Sequence, residues 1–101
     1  MAHDVVWSPE ALDDVDDIAA YIARDSAVYA EAVVDRIIGT TRRLGEHPLA
    51  GRVVPERGNE RYREVFVYSY RVIYRIDDDQ VLVLAVIHGK RLLDAIDDRL
   101  R

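Results

Sequence analysis

The sequence predicts an α+β domain in the order β-α-α-β-β-β, with a helical hairpin packed on one face of a small, mainly antiparallel sheet and a short helix at the C-terminus. Three observations carry this. Two consecutive segments in the first half repeat apolar residues every three or four positions, as helices lying on a core do. Three runs in the second half follow one another across connections too short for anything but antiparallel pairing. The last run, residues 81–87, is apolar at every position, the pattern of a strand covered on both faces. At 101 residues, half of them apolar, the chain suffices for one core and one domain, residues 1–101.

His3 to Trp7 reads as a first strand, with Trp7 joining it to the hairpin. In "WSPEALDD" Ser8 can cap a helix, Pro9 suits its first position, and Glu10, Asp13 and Asp14 favour the positive end of its dipole. The expected buried stripe is Leu12, Val15, Ile18, Ala19 and Ile22. Asp13, Asp14, Asp16 and Asp17 lie mostly off it and read as a solvated face rather than a metal or basic-partner patch. Asp25 or Ser26 starts a second helix with the stripe Ala30, Val33, Val34, Ile37, Thr41 and Leu44, ended by Gly45 and Pro48. Glu46 to Arg61, rich in Gly, Pro and charge, reads as a long ordered loop that offers Arg52, Arg57 and Arg61.

Tyr62–Val67, Tyr70–Ile76 and Val81–His88 are the expected later strands. In the middle one Tyr70, Val72, Tyr74 and Ile76 oppose Arg71, Ile73 and Arg75. In the last, strict alternation sets Val81, Val83, Ala85 and Ile87 against Leu82, Leu84 and Val86. The hairpin can cover only one face. "KRLLDAIDDRLR", with Leu92, Leu93, Ile96 and Leu100 at helical spacing, is expected to fold back over the other as a lid, unless a partner covers it.

Without cysteine there is no disulfide framework or thiolate metal site, and cytoplasm is the expected compartment. No signal peptide or membrane span is visible, no cofactor or metal is expected, and no membrane is expected as a partner. The net charge of −5 is unevenly spread: nine acidic against two basic residues over 1–41, eight arginines against four glutamates over 42–76, and six aspartates against four basic groups over 77–101. An acidic total argues against a free-standing nucleic-acid binder, while the arginine-rich middle allows a local anionic contact.

"WSPEALDDVDDIAAYIARDS", "HPLAGRVVPE", "YREVFVYSYRVIYRI" and "VLVLAVIHGKR", in that order across residues 4 to 91, together resemble the RelE/ParE superfamily of toxins from type II toxin–antitoxin modules, nearest the ParE-like branch. The resemblance implies a RelE/ParE-like fold, growth arrest, and neutralisation by a cognate antitoxin, with a homodimer or a toxin–antitoxin hetero-oligomer both open. It also implies two alternative chemistries. ParE-like members poison DNA gyrase by contact, the expected function here. RelE-like members are ribosome-dependent mRNA endoribonucleases, and under that alternative Arg71 and Arg91 match catalytic arginines and His88 a proton-transfer position. A third alternative is a non-toxic member that only binds antitoxin.

Against the nuclease, "REVFV" stands where a lysine pair is expected, and no tyrosine or histidine follows Arg91. For partner binding the expected residues are Arg52, Arg71, Arg75, Lys90 and Arg91. His88 otherwise reads as a strand-end residue bonded to a carbonyl or an acidic lid residue such as Asp94, and Arg71 and Arg75 as partners of Glu64. Tyr62, Tyr68, Tyr70 and Tyr74 read as sheet packing rather than base-stacking platforms.

Overall fold

The computed structural model describes residues 2–90 and 93–100, with the side chains of 93–96 left aside. Strand β1 (Asp4–Trp7) leads directly into helix α1 (Pro9–Ala23), where the Ser8 Oγ accepts from the Ala11 N–H at 3.1 Å and Pro9 occupies the first turn. Helix α2 (Ala27–Arg43) starts at Ser26, whose hydroxyl accepts from Tyr29 at 3.0 Å, and it ends with Arg42 and Arg43 beside its negative pole. β2 (Arg52–Val53), β3 (Tyr62–Val67), β4 (Tyr70–Ile76) and β5 (Gln80–His88) complete one sheet of order β1-β5-β4-β3-β2, in which only the β1–β5 pairing is parallel.

The segment read as a loop contains a fifth strand. A 3-10 turn, Pro48–Ala50, sets β2 against β3, with Arg52 opposite Glu64 and Val53 opposite Arg63. Two residues are too few to show a period, so the strand leaves no mark in the sequence. What places it is Tyr74, fully buried, whose hydroxyl donates to the Pro48 carbonyl at 2.6 Å and accepts from the Gly51 N–H at 2.9 Å. Gly51 is required there: a Cβ would sit 2.5 Å from the Glu64 carbonyl oxygen and 2.7 Å from the Tyr74 hydroxyl.

The helices cover one sheet face. Val33, Ile37 and Val15 pack there on Val67, Val72 and Val83. On α1 the stripe is shifted from the expected one: Ala11 is buried and Leu12 is half exposed. The opposite face has its own cluster of Val54, Tyr62, Ile73, Ala85, Ile87 and Leu100. Leu100 ends a 3-10 helix, Leu93–Leu100, so the chain end returns over this face as the lid pattern suggested, though wound more tightly than an α-helix.

Strand β5 breaks the expected alternation. Ile73 faces Ala85 but Tyr74 faces Val83, leaving an extra residue on β5. Val81, Val83 and Val86 consequently face the helices, while Leu84, Ala85 and Ile87 face the other way. Every residue in the run is apolar, so no side chain marks the slip in the sequence. β5 is interior in the strand order, yet β1 pairs only with Gln80–Val83. Beyond it, side chains meet two backbone groups of the strand edge. Ser8 Oγ donates to the Leu84 carbonyl at 3.4 Å, and the Val86 N–H donates to Asp14 at 2.9 Å. Arg99 donates to the same carboxylate at 2.7 Å.

Asp14 is therefore a structural acceptor rather than part of a solvated face. Asp14→Ala is expected to destabilise the fold by about 2 kcal/mol, because it strands a strand-edge amide and a guanidinium together. Asp13→Ala, at an exposed position, is expected to stay within about 0.5 kcal/mol. Urea unfolding of the two variants side by side checks the contrast.

Candidate functional site

The arginines singled out in the sequence are largely engaged within the chain. On the face away from the helices, Glu64 is fully buried between two guanidinium groups. Arg52, its cross-strand neighbour on β2, donates at 2.6 Å, and Arg71, diagonal to it on β4, donates from Nε at 2.8 Å and also from Nη2. The rest of the Arg71 fork meets Glu56 at 3.0 and 3.1 Å. A buried carboxylate is tolerable only when so paired. The hydrogen bond from Arg71 lowers the Glu56 pKa, and the bond with Glu56, followed by those with Glu64, raises that of Arg71 against the opposing effect of burial. Arg71 thus pairs with Glu64 as expected, and its side chain is only 7% exposed.

Arg75 does not join that pair. It donates to Asp77 at 2.9 and 3.1 Å, and Arg61 reaches the same carboxylate at 2.6 Å. Arg75 first, with Arg61 assisting, holds the Asp77 pKa down at about 2. Arg63 donates to the Gly51 carbonyl, and Arg57 lies 4.6 Å over the Tyr62 ring. Of the expected contact residues, Arg52, stacked 5.5 Å over the exposed Phe66 ring, and Lys90 are exposed to solvent. Arg91 lies outside the described residues.

His88 lies on the other side of the sheet from Arg71. It opposes Tyr70, whose ring it meets edge-on at 5.9 Å, whereas Arg71 opposes Ile87. The His88 Nδ1 accepts from the Lys90 N–H at 3.2 Å. With Asp17, Ile18, Tyr21, Tyr70 and Val86 it lines a groove of about 370 Å³ between α1 and the free edge of β5. Burial, then the nearness of Tyr29 and Tyr21, raises the Tyr70 pKa. The four aspartates of α1 contribute to no metal-type cluster among the described residues.

Exposed apolar groups gather at this end of the molecule. Tyr21 and Tyr29 come from the helices, and Tyr29 sits 6.3 Å from Tyr68 in the β3–β4 turn. Tyr68 has φ +53°, a conformation that costs a non-glycine residue about 1 kcal/mol. Tyr21 and Tyr29 were absent from the sequence expectations; their signal was an aromatic ring off the buried stripe of its helix. Tyr62 and Tyr74 are buried packing residues, as expected, while Tyr68 is exposed.

The family model described as the ParE toxin of the type II toxin–antitoxin system parDE matches residues 5–93. The chain belongs to the ParE toxin family. No curated protein sequence matches it. Among solved structures this ParE-family chain is similar to one of a chromosomal ParDE system from P. aeruginosa, at 16% identity and TM-score 0.73 over 88% of this chain and 98% of that one. The RelBE2 toxin–antitoxin complex of Mycobacterium tuberculosis is similar at 26% identity and TM-score 0.59, over 87% and 99% of the two chains. The YoeB dimer of Staphylococcus aureus follows at 13% and 0.59, over 87% and 98%. The expected α+β fold, two helices on a mixed sheet, is that of these toxins.

Glu64→Gln is expected to cost about 3 kcal/mol by leaving Arg71 short of a buried counter-charge. Arg52→Ala, at a side chain 62% exposed, is expected to cost under about 1 kcal/mol; denaturant unfolding compares them. Asp77 predicts an acid limb. Its folded pKa lies below the ordinary 3.8, so its contribution is complete above that value and disappears as pH falls toward about 2. Asp77→Asn is expected to flatten the thermal stability profile across that window.

Proposed function

We propose that this ParE-family toxin arrests growth by docking on a target protein, DNA gyrase, in the cytoplasm, and that a cognate antitoxin neutralises it by covering the hairpin and the end of the sheet. The observation that carries this reading is the separation of Arg71 from His88. Cleavage of RNA at a 2′-hydroxyl needs a phosphate clamp and a proton-transfer group around one reacting centre, each within hydrogen-bond reach. Arg71 and His88 project from opposite faces of the sheet, and the Arg71 donors already serve Glu64 and Glu56. Bringing the two together would require dismantling β4 and β5.

The surface supports docking instead. Tyr21, Val28, Tyr29, Tyr68 and Phe66 are all at least half exposed, and aromatic side chains of this kind anchor protein interfaces. Lys90 is exposed next to His88, and Arg52, exposed while it donates to Glu64, stacks on Phe66. Arg71 and Arg75, bound internally, hold the scaffold rather than the partner. No described helix is long and apolar enough to cross a membrane. The choice of gyrase follows the ParE branch, and the antitoxin follows the toxin–antitoxin systems of the similar structures from P. aeruginosa and M. tuberculosis.

Purified protein is expected to inhibit supercoiling by gyrase and to leave mRNA on programmed ribosomes intact, with the inhibition relieved by the antitoxin encoded beside it. Discrete ribosome-dependent fragments that disappear in Arg71→Ala would overturn this reading in favour of the nuclease. Unchanged growth on expression without antitoxin would favour the non-toxic alternative.

A further inference from the structure

Beside the free part of β5 the chain already binds one guanidinium of its own. Arg99 donates to Asp14 from Nη1 at 2.7 Å and from Nη2 at 3.3 Å, and Nη1 approaches the Leu84 carbonyl at 3.5 Å. One acceptor comes from the helix and one from the strand edge. The same combination recurs one step further along. Asp17 follows Asp14 by three residues, one helical turn along the same face of α1. Val86 follows Leu84 by two residues on β5. Gly89 donates to Ser69 on the β4 side, so in an antiparallel ladder Ile87 also bonds inward while Val86 and His88 turn their amides and carbonyls outward. The Val86 N–H donating to Asp14 has that direction, and the Val86 carbonyl shares it.

Between these two acceptors lies the groove of about 370 Å³, with Ile18, Tyr21 and Tyr70 as walls. Its size is near the lower end of ligand cavities, about 300–1,000 Å³, room for one long side chain rather than a packed helix. Asp17 has no ion pair among the described residues, and no lysine or arginine is among the residues lining the groove. Aromatic faces, an aliphatic wall, a carboxylate and a carbonyl match the stem, plane and fork of an arginine better than the compact ammonium of a lysine.

We propose that this groove receives an arginine side chain of the antitoxin, in the arrangement that Arg99 adopts against Asp14 and Leu84. The inference rests on the antitoxin reading above and assigns its anchor. The probe is N-acetyl-arginine N-methylamide, titrated into the isotope-labelled full chain and followed by amide chemical shifts, beside its citrulline counterpart of equal shape and no charge. The arginine probe is expected to move the amides of Asp17, Ile18, Tyr21, Val86 and His88, and to bind about fivefold more tightly than citrulline. Asp17→Asn, at an exposed position, is expected to erase most of that difference with the remaining spectrum unchanged. It should also loosen the antitoxin complex by about three- to fivefold. Equal binding of the two probes, or shifts that map away from the groove, would overturn the assignment. Neutralisation by an antitoxin whose affinity ignores Asp17→Asn would sink the groove alone. Growth that stays arrested when each neighbouring frame is co-expressed would sink the antitoxin reading and, with it, the occupant.

Discussion

The Asp14 carboxylate, accepting from the Val86 N–H and from Arg99, caps the β5 edge where β1 has ended. β1 stops at Trp7 because the chain must turn at Ser8 to start α1, so β5 runs on past its parallel neighbour. An uncovered strand edge invites pairing with another chain. A helix carboxylate and an arginine from the chain end instead terminate it while leaving the groove beyond open. Helix, strand and C-terminal segment are joined at this point.

A second constraint acts on the opposite face. Glu64 is buried without exposure, and the free energy of keeping a carboxylate there must be offset by charge-assisted hydrogen bonds. Arg52 and Arg71 supply them, and Glu56 completes the Arg71 fork from the loop. The arginine-rich middle of the sequence, which by charge alone suggests an anion-binding surface, is in large part consumed by internal pairing with Glu64, Glu56 and Asp77. That pairing binds the Arg71 fork on the face away from His88, while the side bearing His88 presents tyrosines.

The helices, their caps and the three long strands were legible because each has a local cause. Ser8, Pro9 and Ser26 act within one turn of the backbone, and the stripes and alternations report burial directly. Three features were not legible. β2 is too short for a period and is held by the Tyr74 hydroxyl, more than twenty residues away in sequence. The β5 bulge falls in an all-apolar run, where a one-residue slip changes no polarity. Asp14 is indistinguishable from its neighbours Asp13, Asp16 and Asp17 until the strand amide opposite it is known.

The amino-acid sequence by itself determined the class of the domain, the two caps, the antiparallel order of β3, β4 and β5 and the family likeness, because those depend on neighbours within a few residues or on patterns repeated along one element. Only the tertiary structure decided which face each residue of β5 meets, which carboxylate each arginine meets, and that Arg71 and His88 stand apart. Those facts depend on register between strands, and register is a property of the assembled sheet that an unbroken apolar run leaves unspecified.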